Sequence, residues 1–314
     1  MARIQDFQTV TPTSSDKLLV VQSQGQGLVP YGSKLDSDNP TGTGSLSLNR
    51  KSNTTVGTNS VAIGQSCTAS GDRAIAMGTS TTASGTSAVA EGSSTTASGD
   101  YSHSEGAGTT ASGERSHAEG SGTTASGNRS HAEGNSCTAS GDYSHAEGYS
   151  TVSSGAYGCH AEGNGTIANH VAQHVFGAYN VADDSTAAST ARGNYVEIVG
   201  KGGSGSNRSN ARTLDWSGNE TIAGTLTQSS DAKLKDIINE ELPDVSSIKA
   251  VKFKWKENAN RDESEHIGYI AQDVEKVLPY LVKEDAEGNK VLDYIAFLVA
   301  KIDSLEKRLA ELEK

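Results

Sequence analysis

The glycines between residues 51 and 168 recur at a fixed interval, which limits the fold of this chain more than any other feature. One set ends the tripeptide ASG (SSG in the last copy) and keeps a constant 14-residue period. A second set has the same period, with one extra residue before its last member. The first set is Gly71, Gly85, Gly99, Gly113, Gly127, Gly141 and Gly155, and the second is Gly64, Gly78, Gly92, Gly106, Gly120, Gly134, Gly148 and Gly163.

Two glycine turns per unit leave two short strands in each 14-residue repeat. A unit of this size buries a core only when copies stack on one another. The repeat therefore predicts a β-roll over residues 51–168. Because glycine adopts positive φ without strain, we expect both sets to occupy positions that require it.

The strand before each glycine of the second set changes its chemistry along the roll. It reads VAI and IAM in the first two units and HSE or HAE in later units. Residues two apart in a strand share a face, so a pair of apolar side chains is replaced by a histidine and a glutamate. These positions are His103, Glu105, His117, Glu119, His131, Glu133, His145, Glu147, His160 and Glu162.

Two interpretations of this His/Glu column compete. Imidazole and carboxylate groups in one column could bind Zn²⁺ or a similar ion. Alternatively, each histidine forms a hydrogen bond with a glutamate inside a narrow roll, so that the ladder neutralises itself. We prefer the second, structural interpretation, with no metal and no cofactor, and it predicts sensitivity to acid.

Composition restricts the remaining possibilities. Only 34% of the 314 residues are apolar, which favours a thin, repetitive structure whose core is completed by copies of itself. The net charge of -12 without a basic block argues against nucleic-acid binding. No apolar stretch is long enough for a membrane span, and MARIQDFQTV lacks the apolar core of a signal peptide.

The cysteines indicate synthesis in a reducing compartment. Cys67 and Cys137 occupy one repeat position five repeats apart, which corresponds to roughly 24 Å if each repeat adds one strand layer. That separation is too large for a disulfide between them. Together with Cys159, they favour free thiols and assembly in the cytosol.

The segments outside the roll differ in pattern. Residues 1–50 contain "SDKLLVVQSQGQGLVPYG", which predicts a β-hairpin, and residues 169–230 predict a β-rich neck with a turn at residues 217–219. In residues 231–314, "DAKLKDIINEEL" and "IAQDVEKVLPYL" have helical apolar spacing, and "IKAVKFKWK" alternates like a strand.

The C-terminus carries an apolar seam at alternating steps of three and four residues, typical of a coiled coil. Three heptads are marginal alone, so partner helices are implied. Ile at a and Leu at d would by themselves favour a dimer. The seam is Ile295, Leu298, Ile302, Leu305, Leu309 and Leu312.

"NSVAIG" and "ASGDRAIAMG" resemble the head repeats of trimeric autotransporter adhesins (YadA-like). The resemblance covers roughly residues 52–168. It implies a left-handed β-roll, three copies of which pack around one axis, and we therefore expect a trimer rather than a dimer.

A second resemblance covers the C-terminal segment that starts at Ser229. "SSDAKLK", "VKFKWK", "HIGYIAQDVEKVLPYLV" and "LDYIAFLVAKIDSLEKRL" occur in this order and resemble the self-cleaving intramolecular chaperone of phage tailspikes and tail fibres, including endosialidases. The resemblance implies a trimer that helps the preceding β-rich part to fold and then cleaves itself off.

The same resemblance implies a Ser–Lys dyad at a Ser-Asp junction. Carried over, the nucleophile is Ser230, the base is Lys235, and the cleaved bond is Ser230–Asp231. Lys233 stands where the family often has arginine, and Ser229 is an alternative nucleophile. A lysine can activate a serine hydroxyl only if its own charge is suppressed. The competing interpretation is a helix capped by Ser230 or Asp231 with solvated lysines.

These observations predict a mainly β protein with a helical C-terminus: a homotrimeric left-handed β-roll, a β-rich neck, and an α+β chaperone domain that ends in a coiled coil. We expect a phage tail fibre or tail-tip protein, assembled in the host cytoplasm and located in the virion. Residues 1–50 would attach to the phage tail or baseplate, and the roll would bind a host receptor, either a glycan or a surface protein.

The C-terminal domain would act once, as a serine autopeptidase, and no turnover of external substrates is expected. The alternatives are an uncleaved fibre with a permanent chaperone cap and a bacterial surface adhesin.

Overall fold

The computed structural model describes residues 46–48, 56–238, 241–256 and 264–314. The hairpin expected in residues 15–32 lies outside them.

The repeat region forms two sheets that face each other, because each 14-residue unit contributes one strand to each sheet. The strands of the larger sheet are, in spatial order, β1 Leu46–Leu48, β2 Val61–Gln65, β4 Ile75–Thr79, β6 Val89–Ser93, β8 His103–Ala107, β10 His117–Ala118, β12 His131–Asn135, β14 His145–Tyr149, β16 His160–Asn164, β18 His174–Ala178, β19 Tyr195–Lys201, β20 Asn210–Asp215 and β21 Glu220–Ile222. Those of the smaller sheet are β3 Thr68–Ala69, β5 Thr82–Ala83, β7 Thr96–Ala97, β9 Thr110–Ala111, β11 Thr124–Ala125, β13 Thr138–Ala139, β15 Val152–Ser153 and β17 Ile167–Ala168.

Parallel pairing in register turns the repeat into a solenoid. Within the roll, each strand pairs with the strand one repeat later, so that Val61 lies beside Ile75 and His131 beside His145. Every repeat position therefore becomes a column of like residues along the roll. The predicted β-roll of 14-residue repeats is confirmed.

The interior of the roll is narrow, and small side chains fill it. The middle residue of each three-residue strand motif points inwards and is fully buried, as Ala62, Ala76 and Ala132 illustrate. A second inward column belongs to the smaller sheet and contains Ala69 and Ala83. Because dense packing leaves few voids, any larger side chain here would push the two sheets apart.

The two glycine sets are required for different reasons. Glycines of the second set have φ between 99° and 119°, as expected. The ASG glycines do not have positive φ, so that expectation was wrong for them. Instead, a Cβ on Gly127 would lie 1.9 Å from the carbonyl oxygen of Gly141 in the next turn. Close stacking of backbones therefore excludes any side chain at this position.

The parallel ladder continues past residue 168, where the repeat region was expected to end. β18 pairs with β16, and β19 pairs with β18, both in parallel. These strands form an additional turn of the solenoid. The 14-residue pattern does not reveal it, because Val175 and Phe176 stand where the repeats have alanine and glutamate. Beyond it the pairing becomes antiparallel through β20 and β21. The turn between them lies where it was predicted, and Asp215 Oδ1 accepts hydrogen bonds from the backbone N–H groups of Ser217 and Asn219.

The C-terminal region combines short strands with two helices. The predicted strand in "IKAVKFKWK" is confirmed by β22. The elements are the 3₁₀ turn Ala232–Leu234, β22 Val251–Phe253, β23 His266–Gly268, α1 Ala271–Glu275, the 3₁₀ turn Pro279–Leu281, β24 Val282–Glu284, β25 Lys290–Leu292 and α2 Tyr294–Leu312. Its core is Val245, Ile248, Val274, Leu278, Phe297 and Ala300.

The predicted helix in "DAKLKDIINEEL" is wrong. Only Ala232–Leu234 forms a 3₁₀ turn, and residues 235–238 have no regular structure. A short helix depends on packing of its apolar face, and Leu234, Ile237 and Ile238 are 75% to 98% exposed within the described part of the chain. Across the described residues, neither helix has the length and apolar character that crossing a bilayer requires.

Candidate functional site

One tight turn brings the two predicted dyad residues together. Asp231 Oδ1 accepts a hydrogen bond from the Lys233 backbone N–H at 2.9 Å and so caps the 3₁₀ turn. The turn closes when the Lys235 N–H donates to the Ala232 carbonyl. As a result, Lys235 Nζ donates to Ser230 Oγ at 2.7 Å. For Ser229, no hydrogen bond is found within the described part of the chain.

The junction around this pair is open to solvent in the single chain. Ser230 and Lys235 are both exposed. The apolar side chains that follow them are exposed as well, by 76% at Leu234 and 98% at Ile238. Large apolar groups grouped in this way are typical of a surface that another chain covers.

The His/Glu column forms a continuous stack along the outer face of the larger sheet. Neighbouring imidazole rings lie 4.7 to 5.0 Å apart, with interplanar angles of 5° to 17°. The stack includes His174, which sequence reasoning missed because its strand lacks the glutamate. The signal was present, since His174 follows His160 by one repeat. The column lies on the outer surface and not inside the roll, where alanine leaves no room for it.

The expected hydrogen-bonded ladder does not form. The Nε2 atom of each histidine from His103 to His160 lies 3.4 to 3.8 Å from a carboxylate oxygen of the preceding turn. Hydrogen bonds of this type are normally about 2.7–3.2 Å long. Burial, together with neighbouring imidazoles, lowers the pKa of His117 and His145 from the ordinary histidine value, which disfavours the charged form of these two rings.

Helix α2 has two distinct faces. Phe297, Ala300 and Ser304 are buried against the chaperone core. Asp293 caps the helix by accepting a hydrogen bond from the Ala296 N–H at 3.0 Å. The predicted seam lies on the opposite side and is exposed at every position: Ile295, Leu298, Ile302, Leu305, Leu309 and Leu312.

An exposed stripe of aromatic and basic residues follows one turn of the roll. Tyr101, Arg115, Arg129 and Tyr143 occupy the same turn position in successive repeats, each with positive φ. Arg115 lies over the ring of Tyr101 at 5.3 Å, and Arg129 lies over Tyr143 at 5.2 Å. We name these four residues the Tyr/Arg stripe.

Comparisons with known protein families agree with both resemblances seen in the sequence. The family described as "YadA head domain repeat (2 copies)" matches residues 56–81, 69–95 and 104–130. The family described as "Chaperone of endosialidase" matches residues 230–283, a segment that begins at the proposed nucleophile. No curated protein sequence matches the chain significantly. The repeats are thus similar to YadA head repeats and the segment from residue 230 to the chaperones of endosialidase, and together these matches support a trimeric fibre or adhesin-like protein.

Proposed function

We propose that this protein is a phage tail fibre or tail-tip protein whose C-terminal domain directs trimerisation and then cleaves itself off at Ser230–Asp231. The observation that carries the cleavage is the 2.7 Å contact between Lys235 Nζ and Ser230 Oγ. It lies where the roll and neck end and where the chaperone match begins.

The chemistry requires assembly in two respects. A lysine acts as a base only when burial or neighbouring cations favour its neutral amine, and Lys235 is exposed in the single chain. Three chains that pack over Leu234, Ile237 and Ile238 would supply that burial. Cleavage would then occur only in correctly assembled trimers.

The second requirement concerns the direction of attack. Ser230 Oγ cannot readily attack its own carbonyl, because the product would be a strained β-lactone. We therefore assign the attack to Ser230 of a neighbouring chain in the trimer. Lys235 takes the hydroxyl proton, Oγ bonds to the Ser230 carbonyl carbon of the other chain, and the C–N bond breaks as Asp231 nitrogen accepts a proton. Water then hydrolyses the ester, which frees the hydroxyl again.

The remaining parts fit a particle-bound fibre. Residues 1–50 would attach to the tail or baseplate, and the virion would be assembled in the host cytoplasm. The Tyr/Arg stripe is a suitable surface for a host receptor, because exposed tyrosine and arginine side chains dominate recognition surfaces. A glycan could stack on the two tyrosine rings, and a surface protein could bind the same stripe.

A denaturing gel tests the cleavage. Freshly assembled wild-type protein should give two fragments in place of the 32.5 kDa chain, with mass spectrometry locating the break after Ser230. Ser230→Ala and Lys235→Ala should stay intact, and the neighbouring Ser229→Ala is the matched control that should still cleave. A wild type that remains whole would favour the uncleaved fibre with a permanent chaperone cap.

A mixing experiment tests the attack between chains. Wild type and Ser230→Ala carrying different N-terminal tags would be co-expressed, so that mixed trimers form. Chains of the Ser230→Ala variant cannot act as nucleophiles, yet they keep a cleavable bond. Cleavage of those chains in mixed trimers supports attack by a neighbour, whereas cleavage of wild-type chains alone would refute it.

The alternative of a bacterial surface adhesin predicts a different location. Such a protein would be found on cells and not in purified phage particles, and proteomics of both fractions would distinguish the two.

A further inference from the structure

The His/Glu column contains polar atoms that neither the fold nor the proposed cleavage explains. The Nε2 atoms of His103, His117, His131, His145, His160 and His174 are shielded from solvent and have no hydrogen-bond partner among the described residues. A buried polar atom without a partner is costly, and native proteins contain few of them. Six in one row indicate a common cause.

The distances within the column match those between ligands of one metal ion. Zn²⁺ binds imidazole nitrogen and carboxylate oxygen at about 2.0–2.2 Å, so two ligands of a tetrahedral site lie roughly 3.3–3.5 Å apart. The observed Nε2 to carboxylate distances are 3.4 to 3.8 Å. These distances are too long for good hydrogen bonds. A small movement of each imidazole and carboxylate towards each other would bring both within bonding distance of one ion.

The charge of the column also favours a cation. Glu91 pairs in register with Glu105, and Glu133 pairs with Glu147, which pairs in turn with Glu162. Like charges directly opposite each other destabilise a sheet. The imidazole nitrogens between them can offer lone pairs to an ion, and a bound cation would offset the repulsion between the carboxylates.

We propose that the column binds divalent transition-metal cations of the Zn²⁺ class, each through imidazole nitrogen and carboxylate oxygen. Five groups of three residues bring their ligand atoms within 4.8 Å of one another. They are Glu91/His103/Glu105, Glu105/His117/Glu119, Glu119/His131/Glu133, His145/Glu147/His160 and His160/Glu162/His174.

Shared ligands limit the number of ions. Glu105, Glu119 and His160 each belong to two neighbouring groups, so at most three of the five groups have no residue in common. We therefore expect about three ions per chain. A shallow groove beside Glu133, Glu147 and Glu162, lined also by the glycines that follow them, opens to solvent and lets ions reach the carboxylates.

The ion class follows from the ligands. One or two nitrogens with carboxylate oxygens suit Zn²⁺ and its neighbours in the first transition row, whereas Mg²⁺ and Ca²⁺ prefer sites made only of oxygen. The sites should therefore retain Zn²⁺ in the presence of excess Mg²⁺. This inference replaces the metal-free ladder that we preferred from the sequence.

Equilibrium dialysis of the untagged full-length protein tests the proposal. The protein would be stripped with EDTA, dialysed at pH 7.5 against ZnCl₂ with excess MgCl₂, and assayed for metal by mass spectrometry. The key variant is His131→Ile combined with Glu133→Met, because the roll already accommodates Ile75 and Met77 at the same repeat positions. The matched control is Glu114→Gln, which removes a glutamate of the turns that lies outside the column.

Wild type and control should bind about three Zn²⁺ per chain, and the double variant about two. If the double variant misfolds by circular dichroism, the isosteric Glu133→Gln replaces it and should lose the same ion. Wild-type protein that retains no Zn²⁺, or a variant that retains as much as wild type, would overturn the proposal.

Discussion

The imidazole rings of His145 and His160 stack at 4.7 Å and 10°, although the chain between them is one residue longer than at the other steps of the repeat. The extra residue is taken up in the turn at Gly158, which has φ of 60°. Strand pairing keeps Glu147 in register with Glu162 across the insertion. The column is thus maintained where the simple repeat fails.

Acid should destabilise the roll. The pKa of His117 is lowered from 6.5 by burial first and then by His103 and His131, while Glu105 and Glu119 oppose the shift. The unfolded chain therefore takes up protons at a higher pH than the folded chain does, so stability falls as the pH drops below about 6.5. For EDTA-treated protein, Tm measured at several pH values should be constant above about pH 7 and decrease towards about pH 4.5. An unchanged Tm over this range would contradict the prediction.

The two kinds of glycine should respond differently to alanine. At Gly127 a Cβ would collide with the Gly141 carbonyl, so Gly127→Ala should cost about 3 kcal/mol or more of unfolding free energy. At Gly158 a Cβ meets nothing within 4 Å, and only the left-handed backbone is penalised, by about 1 kcal/mol. Urea denaturation of both variants measures the difference, and equal losses would show that close stacking of the turns is not the reason for the ASG glycines.

A charge in the helical seam should prevent both assembly and cleavage. Leu305 is 58% exposed in the single chain and lies at a d position, so Leu305→Asp would place a carboxylate between the partner helices. Native mass spectrometry should show loss of the trimer, and a denaturing gel should show the intact chain. Glu311→Gln, on the same helix but outside the seam, should remain trimeric and cleave. If Leu305→Asp were still trimeric and fully cleaved, the apolar seam would be unnecessary for both assembly and cleavage.

The thiols should be unreactive in the folded protein. Cys67, Cys137 and Cys159 are buried and free, and burial raises the pKa of Cys159. Labelling with a thiol reagent at pH 7 should be slow for native protein and should reach three groups per chain in urea. Fast labelling of native protein would mean that the roll opens locally.

Much of the architecture follows from the repeat itself. Glycine spacing predicts one roll turn per 14-residue unit, because only stacked copies bury so short a unit. The alternation in VAI and HAE predicts the face of each side chain, and strand periodicity confirms that Ala132 points inwards while His131 and Glu133 point outwards. The heptad spacing likewise predicts the exposed face of α2. Local spacing carries this information because each strand and helix has a fixed period.

Other features depend on contacts between turns or between chains. Only the stacked backbone reveals that Gly127 must lack a Cβ, and only the distances reveal that His131 and Glu119 do not form a hydrogen bond. The helix expected after Asp231 does not form, because its apolar residues stay exposed among the residues that the structure describes. A pattern in the sequence states which groups share a face, whereas the gap between two groups is set by the packing of everything around them. For that reason the repeat predicts the column, and the tertiary structure decides what can bind to it.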